Sequence, residues 1–295
     1  MKHFKNLSAP YVVWALIFIV VSLFMVIFYA FTGETGQFTT QHFVRFFSGS
    51  TLGTLFQSLK IALISTVICL IIGYPLAYII AMSTSGRYRA TAIMLIVIPM
   101  WMNFLLRTYA WVTILSKNGI LNSLLRMVGL GPLDILYTDW AVVLGMVYNF
   151  LPFMILPIYT VLEKMDQGLI EAAADLGCNK VLTFVKVIFP LSLPGVVSGV
   201  AMVFIPAIST FEITALLGGN KTNLIGNVIE QQFTVTGDWH YGSAISVVLM
   251  LFLLVSLFFT DREERDKVHA SASDMVDTHQ DVAFPETNQQ EVHYD

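Results

Sequence analysis

The chain has 295 residues, of which 56% are apolar and 12% are Asp, Glu, Lys or Arg. Soluble domains carry about 25% charged residues, so this composition excludes an ordinary soluble protein. The formal net charge is -4, and residues 261–295 alone contribute ten acidic and three basic side chains. Neither that segment nor the remainder has the basic excess of a nucleic-acid-binding protein. Two cysteines, Cys69 and Cys178, are too few for a disulfide framework.

Six apolar segments are long enough to cross a bilayer, because a helix rising 1.5 Å per residue needs about 20 residues for the hydrocarbon core. The six predicted spans are residues 11–31, 54–82, 90–115, 140–162, 191–217 and 243–260. Continuous apolar runs favour helices, since the strands of a membrane barrel alternate apolar and polar residues. The sequence therefore predicts an all-α polytopic membrane protein whose transmembrane domain covers residues 1–260.

The distribution of Lys and Arg predicts the orientation. If the N-terminus is inside, the inner segments hold ten basic residues and the outer loops hold four, namely Arg45, Lys117, Arg126 and Lys221. This asymmetry predicts that both termini are cytosolic. Residues 261–295 are acidic and poor in large apolar side chains, which predicts a disordered cytosolic tail.

The predicted inner segment 163–190 differs from an ordinary connector. Apolar residues recur with helical spacing in each of two sets. The first set is Leu169, Ala172, Ala173 and Leu176, and the second is Val181, Phe184, Val185 and Ile188. This spacing predicts two short amphipathic helices. Gly177 is predicted to break the chain between them, and Pro190 to end the second helix and begin the fifth span. Glu171 and Asp175 lie four residues apart and place like charges on one face, which favours a cationic partner.

This segment resembles the loop that defines the permease subunits of ATP-binding cassette importers, in which Glu-Ala-Ala, Gly and Ile-x-Leu-Pro occur at the same intervals. The matching residues are Glu171, Ala172, Ala173, Gly177 and residues 187–190, with Val187 and Phe189 as conservative differences. The resemblance implies the type I importer permease fold, with six transmembrane helices and a cytosolic coupling loop over 163–190. It implies that Glu171 to Gly177, including Asp175, and Pro190 transmit motion from an ATPase.

The same resemblance implies a set of partners and a location. A second permease, two ATPase subunits and an external substrate-binding protein would complete the transporter in a bacterial cytoplasmic membrane. ATP and magnesium would bind to the ATPase, so this chain is expected to be a transport subunit without a cofactor and not an enzyme. Substrate would cross by alternating access, from the external binding protein to the cytosol.

Four further stretches, 107–111, 216–219, 225–233 and 238–239, look like the first of the two permeases of bacterial spermidine/putrescine importers. The similarity extends over residues 10–260. Related importers of thiamine, ferric iron, sulfate or amino acids remain alternatives. An ion-coupled secondary transporter is an alternative of another class, although it would need inverted repeats and membrane carboxylates, and a membrane scaffold or sensor is a third.

A polyamine passage needs acidic groups and aromatic faces, because ammonium groups lose their hydration inside the membrane. The candidate path residues are Trp101, Tyr109, Trp111, Tyr148, Phe211, Glu212, Glu230 and Asp238. Arg107 would repel a polycation, so it is predicted to be a structural or gate residue, with Glu212 as its candidate partner. Lys60 is predicted to be structural, and Gly195 and Gly199 to form a helix contact. No pattern predicts a catalytic residue or a metal ligand.

Overall fold

The computed structural model describes residues 9–33, 35–219 and 221–258. The predicted acidic tail, 261–295, lies outside the described residues. The helices, in chain order, are α1 (Ala9–Ala15), α2 (Ser22–Phe31), α3 (Gln41–Ser48), α4 (Thr51–Ala81), α5 (Gly86–Val97), α6 (Phe104–Leu115), α7 (Ile120–Met127), α8 (Asp139–Glu163), α9 (Gln167–Asp175), α10 (Lys180–Thr183), α11 (Phe189–Ser209), α12 (Glu212–Leu217), α13 (Ile225–Gln231) and α14 (Trp239–Phe258). Within the described ranges the regular elements are all helical, which confirms the predicted all-α class.

Five helical segments are long and apolar enough to cross a membrane, at positions close to five of the predicted spans. They are Val13–Phe31, Thr51–Ala81, Asp139–Glu163, Lys180–Ser209 and Trp239–Phe258. A sixth candidate is a bent pair, Gly86–Trp101 with Phe104–Met127, whose two arms meet at 94°. The third predicted span, 90–115, is therefore not one continuous helix.

The bend in the third span has a local cause. Pro99 lies in a short 3-10 turn, Ile98–Trp101, and has no N–H with which to continue α-helical bonding. Asn103 then starts α6 as its N-cap, and its side-chain oxygen accepts hydrogen bonds from the Leu105 and Leu106 N–H groups, at 2.9 and 3.3 Å. Average hydropathy does not register such a break, because Asn103 is the one polar residue among the apolar residues around it.

The fifth predicted span, 191–217, is wrong at its C-terminal end. Pro190 lies in the first turn of α11, as predicted for the start of this span. It does not end a separate helix, because helical structure continues from Lys180 through the π-helical turn Phe184–Ile188, which accommodates the missing N–H of the proline. The span stops at Ser209, Thr210 is extended, and residues 212–217 form the separate helix α12.

The core of the bundle consists of α4, α8 and α11, which pack on one another. Glycines allow the close approach of α11 to α8: a Cβ at Gly195 would lie 2.9 Å from the Pro157 carbonyl oxygen, and one at Gly199 would lie 2.9 Å from the Met154 sulfur. The predicted contact through these glycines is confirmed. A buried hydrogen bond of 2.8 Å between the Tyr74 and Ser192 hydroxyls joins α4 to α11.

The bundle has two ends that we name by the residues there. At the loop end, where residues 164–179 lie, Arg89 and Glu163 form an ion pair of 3.8 Å. At the far end, where residues 116–138 and 218–238 lie, Asp139 accepts hydrogen bonds from the Gln57 amide and the Thr222 hydroxyl. These bonds tie α4, α8 and the segment before α13 together at that end.

Candidate functional site

The segment between α8 and α11 forms a helix, a turn and a second helix at the loop end. Asp166 is the N-cap of α9, and its carboxylate accepts a hydrogen bond from the Gly168 N–H at 2.9 Å. After α9 the chain turns at Gly177, where φ is +82°, as the predicted break requires. The Gly177 N–H bonds to the Ala174 oxygen and the Cys178 N–H to the Ala173 oxygen, at 2.9 and 3.0 Å. This pair of bonds is a Schellman cap.

The first apolar set of this segment is divided between the interior and the surface. Ala173 is buried, and the neighbouring Ile170 packs against the core cluster. The other three members, Leu169, Ala172 and Leu176, are exposed, and Leu176 is 85% exposed. The face of α9 that packs against the rest of this chain is therefore narrower than the apolar stripe predicted from the sequence.

The second apolar set divides in the same way. Phe184 and Ile188 pack into the core cluster, whereas Val181 is 72% exposed and Val185 is also exposed. We call Leu169, Leu176, Val181 and Val185 the loop-end apolar surface. Glu171 and Asp175 are exposed on α9, and neither takes part in an ion pair within the described residues. An apolar surface of this kind, next to unpaired carboxylates, is typical of a protein interface.

Hydrogen bonds of Asn227 and Ser58 stabilise the chain after the break in the fifth span. Neither residue was predicted from the sequence to have this role. The Asn227 side chain of α13 donates to the Phe211 carbonyl at 3.1 Å and accepts from both the Thr214 hydroxyl and the Leu224 N–H. The Ile225 N–H donates to the Ser58 hydroxyl at 2.8 Å. An amide side chain within an apolar run was the available signal, but its partners are 13 and 16 residues away and could not be read from spacing.

Arg107 and Glu212 lie on two short helices, α6 and α12, that pack against each other. Arg107 is 8% exposed, and its Nε and Nη1 atoms are buried without a hydrogen-bond partner among the described residues. Glu212 is partly buried and accepts a hydrogen bond from the Thr210 hydroxyl at 3.4 Å. No ion pair within 4.0 Å joins the two residues in this conformation.

The other predicted path residues occupy different environments. Trp111 and Tyr148 meet edge to face, with ring centroids 5.4 Å apart, so α6 and α8 bring two of the predicted aromatics together. Trp101, Tyr109 and Phe211 are exposed.

Two of the predicted path carboxylates have partners within this chain. Asp238 forms an ion pair of 2.8 Å with Arg45 and also accepts a hydrogen bond from the Tyr241 N–H. Glu230 accepts a hydrogen bond from the Thr234 hydroxyl at 2.9 Å. The weakly bonded carboxylate of Glu212 is thus more available to a cation than that of Asp238.

The chain matches a family of membrane transport proteins and is similar to individual permeases. Residues 73–265 match the family described as binding-protein-dependent transport system inner membrane component. The spermidine/putrescine transport system permease protein PotB of Haemophilus influenzae is 37% identical over 253 residues, which cover 83% of this chain and 88% of the relative. The protein of the same name from Escherichia coli is 39% identical over 230 residues, covering 77% and 83%.

The fold is also similar to a solved transporter. One chain of a bacterial ABC transporter involved in the import of the acidic polysaccharide alginate superposes with a TM-score of 0.74. The superposition covers 90% of this chain and 96% of that one, at 18% sequence identity. Identity at this level supports the shared fold alone, which is that of an importer permease, as predicted.

Proposed function

The chain belongs to the family of binding-protein-dependent transport system inner membrane components, and we propose that it is the permease subunit of a polyamine importer. The observation that carries the substrate class is the identity of 37 to 39% to permeases named for spermidine and putrescine, over most of both chains. The availability of the Glu212 carboxylate supports the same class, because an ammonium group that leaves water needs a negative partner.

We propose that the loop end is cytosolic and that segment 163–190 couples this chain to an ATPase subunit. The support is the part of the loop-end apolar surface at α9, where Leu169 and Leu176 are exposed although they lie outside the helices that are long and apolar enough to cross a membrane. Glu171 and Asp175 border this surface and would meet cationic or amide donors on the ATPase. Gly177 fixes the angle between the two helices. A displacement of α9 by the ATPase would therefore displace α10 and, with it, the long helix that ends at Ser209.

In the complete transporter, this chain would pair with a second permease between two ATPase subunits, which bind ATP and magnesium. An external binding protein would deliver the polyamine at the far end, and both termini would lie in the cytosol. The asymmetry of Lys and Arg between the predicted loops supports this orientation.

The substrate class is tested with the assembled transporter in proteoliposomes that contain ATP. We expect uptake of labelled spermidine and putrescine when the binding protein is present, and no uptake of sulfate or thiamine. Uptake should persist when an uncoupler dissipates ion gradients and stop when ATP is omitted. Uptake driven by an ion gradient, or restricted to an anion or a neutral solute, would show that the proposal is wrong.

The role of Glu212 is tested by Glu212→Gln, with Asp134→Asn as the matched control. Asp134 is also acidic, but it is exposed at the far end, where it pairs with Lys117 at 3.7 Å. Loss of a desolvated charge pair worth about 1.4 kcal/mol corresponds to tenfold in affinity, so we expect uptake by Glu212→Gln to fall by about that factor. Asp134→Asn should retain normal uptake. Equal effects in the two variants would contradict a path role for Glu212.

A further inference from the structure

The state of Arg107 requires an explanation beyond packing. Its guanidinium carries a positive charge, and a buried donor without a partner destabilises the folded protein. Within the described residues its one aromatic contact is with the Phe104 ring, whose centroid lies 5.9 Å from Cζ. That contact is at the outer limit of a cation–π interaction and leaves Nε and Nη1 unpaired.

A carboxylate that lacks a strong partner lies on the neighbouring helix. Glu212 is the first residue of α12, and its hydrogen bond from Thr210, at 3.4 Å, is long for a charged acceptor. Helices in contact have axes about 8–10 Å apart, a gap that an arginine and a glutamate extended toward each other can bridge. The two charged residues thus lie on contacting helices and are not paired with each other in this conformation.

Both helices also start at a break in a membrane span, where the backbone can change direction. Helix α6 follows the 94° bend, and α12 follows the extended residue Thr210. Asn227 ties the start of α12 to α13 by its hydrogen bond to the Phe211 carbonyl, whereas α6 begins from its own cap at Asn103. The structure thus contains two contacting helices that are capped separately, and the charges of Arg107 and Glu212 are not paired with each other.

We propose that Arg107 is the exchangeable counter-ion of Glu212. In the arrangement seen here the pair is open, and the Glu212 carboxylate is free to accept an ammonium group of the substrate. A shift of α6 against α12 closes the pair, and the guanidinium then competes with the ammonium group for the same carboxylate oxygens. This closure favours substrate release and leaves Glu212 neutralised while the passage is empty. This inference rests on the proposed polyamine function and adds a positioning and release role for Arg107.

The test measures substrate release as well as uptake. The purified complex is loaded with labelled spermidine through its binding protein, excess label is removed, and loss of label is followed by rapid filtration. Arg107→Gln should slow release and lower uptake, each by about tenfold if the competing pair is worth about 1.4 kcal/mol. Arg107→Lys should restore much of the release rate, since it keeps the charge. Lys60→Gln is the control, because it removes a cation from the exposed face of α4.

A double variant separates this inference from a purely structural role. Glu212→Gln should accelerate release, and Arg107→Gln combined with Glu212→Gln should lower uptake no more than the worse single variant. Should Arg107→Gln alone fail to assemble, the double variant should assemble, because its closed state no longer contains a carboxylate without a counter-ion.

Three outcomes would overturn the counter-ion role: unchanged release in an assembled Arg107→Gln complex, multiplied defects in the double variant, or failure of the double variant to assemble. Absence of polyamine uptake in the unmodified complex is a different result. It would refute the proposed function itself.

Discussion

Two short helices at opposite ends of the molecule end in the same way. Helix α9 at the loop end stops at Gly177 with φ of +82°, and α7 at the far end stops at Gly129 with φ of +80°. Each glycine begins the same two-bond cap, and neither has an atom of another residue near the position of a Cβ. The residues just before them, Leu176 and Val128, are 85% and 77% exposed.

The two helices differ in what fixes them to the chain. Helix α7 contains Asn122, a fully buried amide that bonds to the Ser116 oxygen and to both the N–H and the oxygen of Leu133, at 2.8 to 3.1 Å. In α9 the buried residue is Ala173, which has no polar side-chain atom. The far-end helix is thus held by its own loop, whereas the loop-end helix depends on packing. The same cap can therefore end a helix that its own loop holds by hydrogen bonds or one that is held by packing alone.

The largest effect is expected when the exposed residue before the α9 cap becomes charged. The same change before the α7 cap is the control. Leu176→Asp should prevent stable association with the ATPase, because it places a carboxylate in an interface that buries the leucine, a loss of about 2 kcal/mol or more. Val128→Asp should leave association and ATP-dependent uptake normal. Co-purification of the ATPase and uptake in proteoliposomes measure the two effects. Normal association of Leu176→Asp would remove α9 from the interface.

A smaller effect is expected when the glycine of either cap is replaced by valine. Valine in the left-handed region is disfavoured by roughly 1–2 kcal/mol or more, so Gly177→Val and Gly129→Val strain the two helices equally. We expect Gly177→Val to uncouple ATP hydrolysis from uptake, with uptake lowered by about tenfold if 1.4 kcal/mol of that strain falls on the coupled state. Gly129→Val should keep the ratio of uptake to hydrolysis. Equal loss of that ratio in both would mean that strain, and not position, causes the defect.

The third substitution should affect stability and not coupling. Asn122→Ala removes a fully buried amide together with its hydrogen bonds to Ser116 and Leu133, and each such bond contributes about 0.5–1.5 kcal/mol. The melting temperature of the purified complex should fall, while uptake per folded complex stays normal. A loss of uptake without a loss of stability would contradict this prediction. It would indicate that the far-end helix, like α9, takes part in coupling.

The smallest effect is expected at the start of α9. Asp166→Ala removes the side chain that accepts the Gly168 N–H, and loss of such a cap costs about 1 kcal/mol. Uptake should fall about twofold to fivefold, and Asp166→Asn, which can still cap the helix, should be close to normal. Identical defects in the alanine and asparagine variants would indicate that the charge of Asp166 matters more than its hydrogen bond.

Much of the site was accessible from the sequence where it depends on short-range geometry. The break at Gly177 follows from a glycine between two stretches of helical periodicity, and the contact through Gly195 and Gly199 follows from their spacing. The pairing of Asp238 with Arg45 was not accessible, because these residues are 193 positions apart. The network around Asn227 was missed for the same reason, and so was the separation of Arg107 from Glu212.

By itself, the sequence determined the membrane environment, the all-helical class and the approximate positions of the spans, because these depend on composition and on backbone hydrogen bonds within each segment. The tertiary structure decided where the helices break and where they continue. Pro190 lies within a helix because a wider turn precedes it, and the span stops at Ser209 because Asn227 and Ser58 hold the backbone beyond it. It also divided the apolar stripe of α9 between core and surface, since packing against α10 and the turn Phe184–Ile188 decides which side chains remain uncovered.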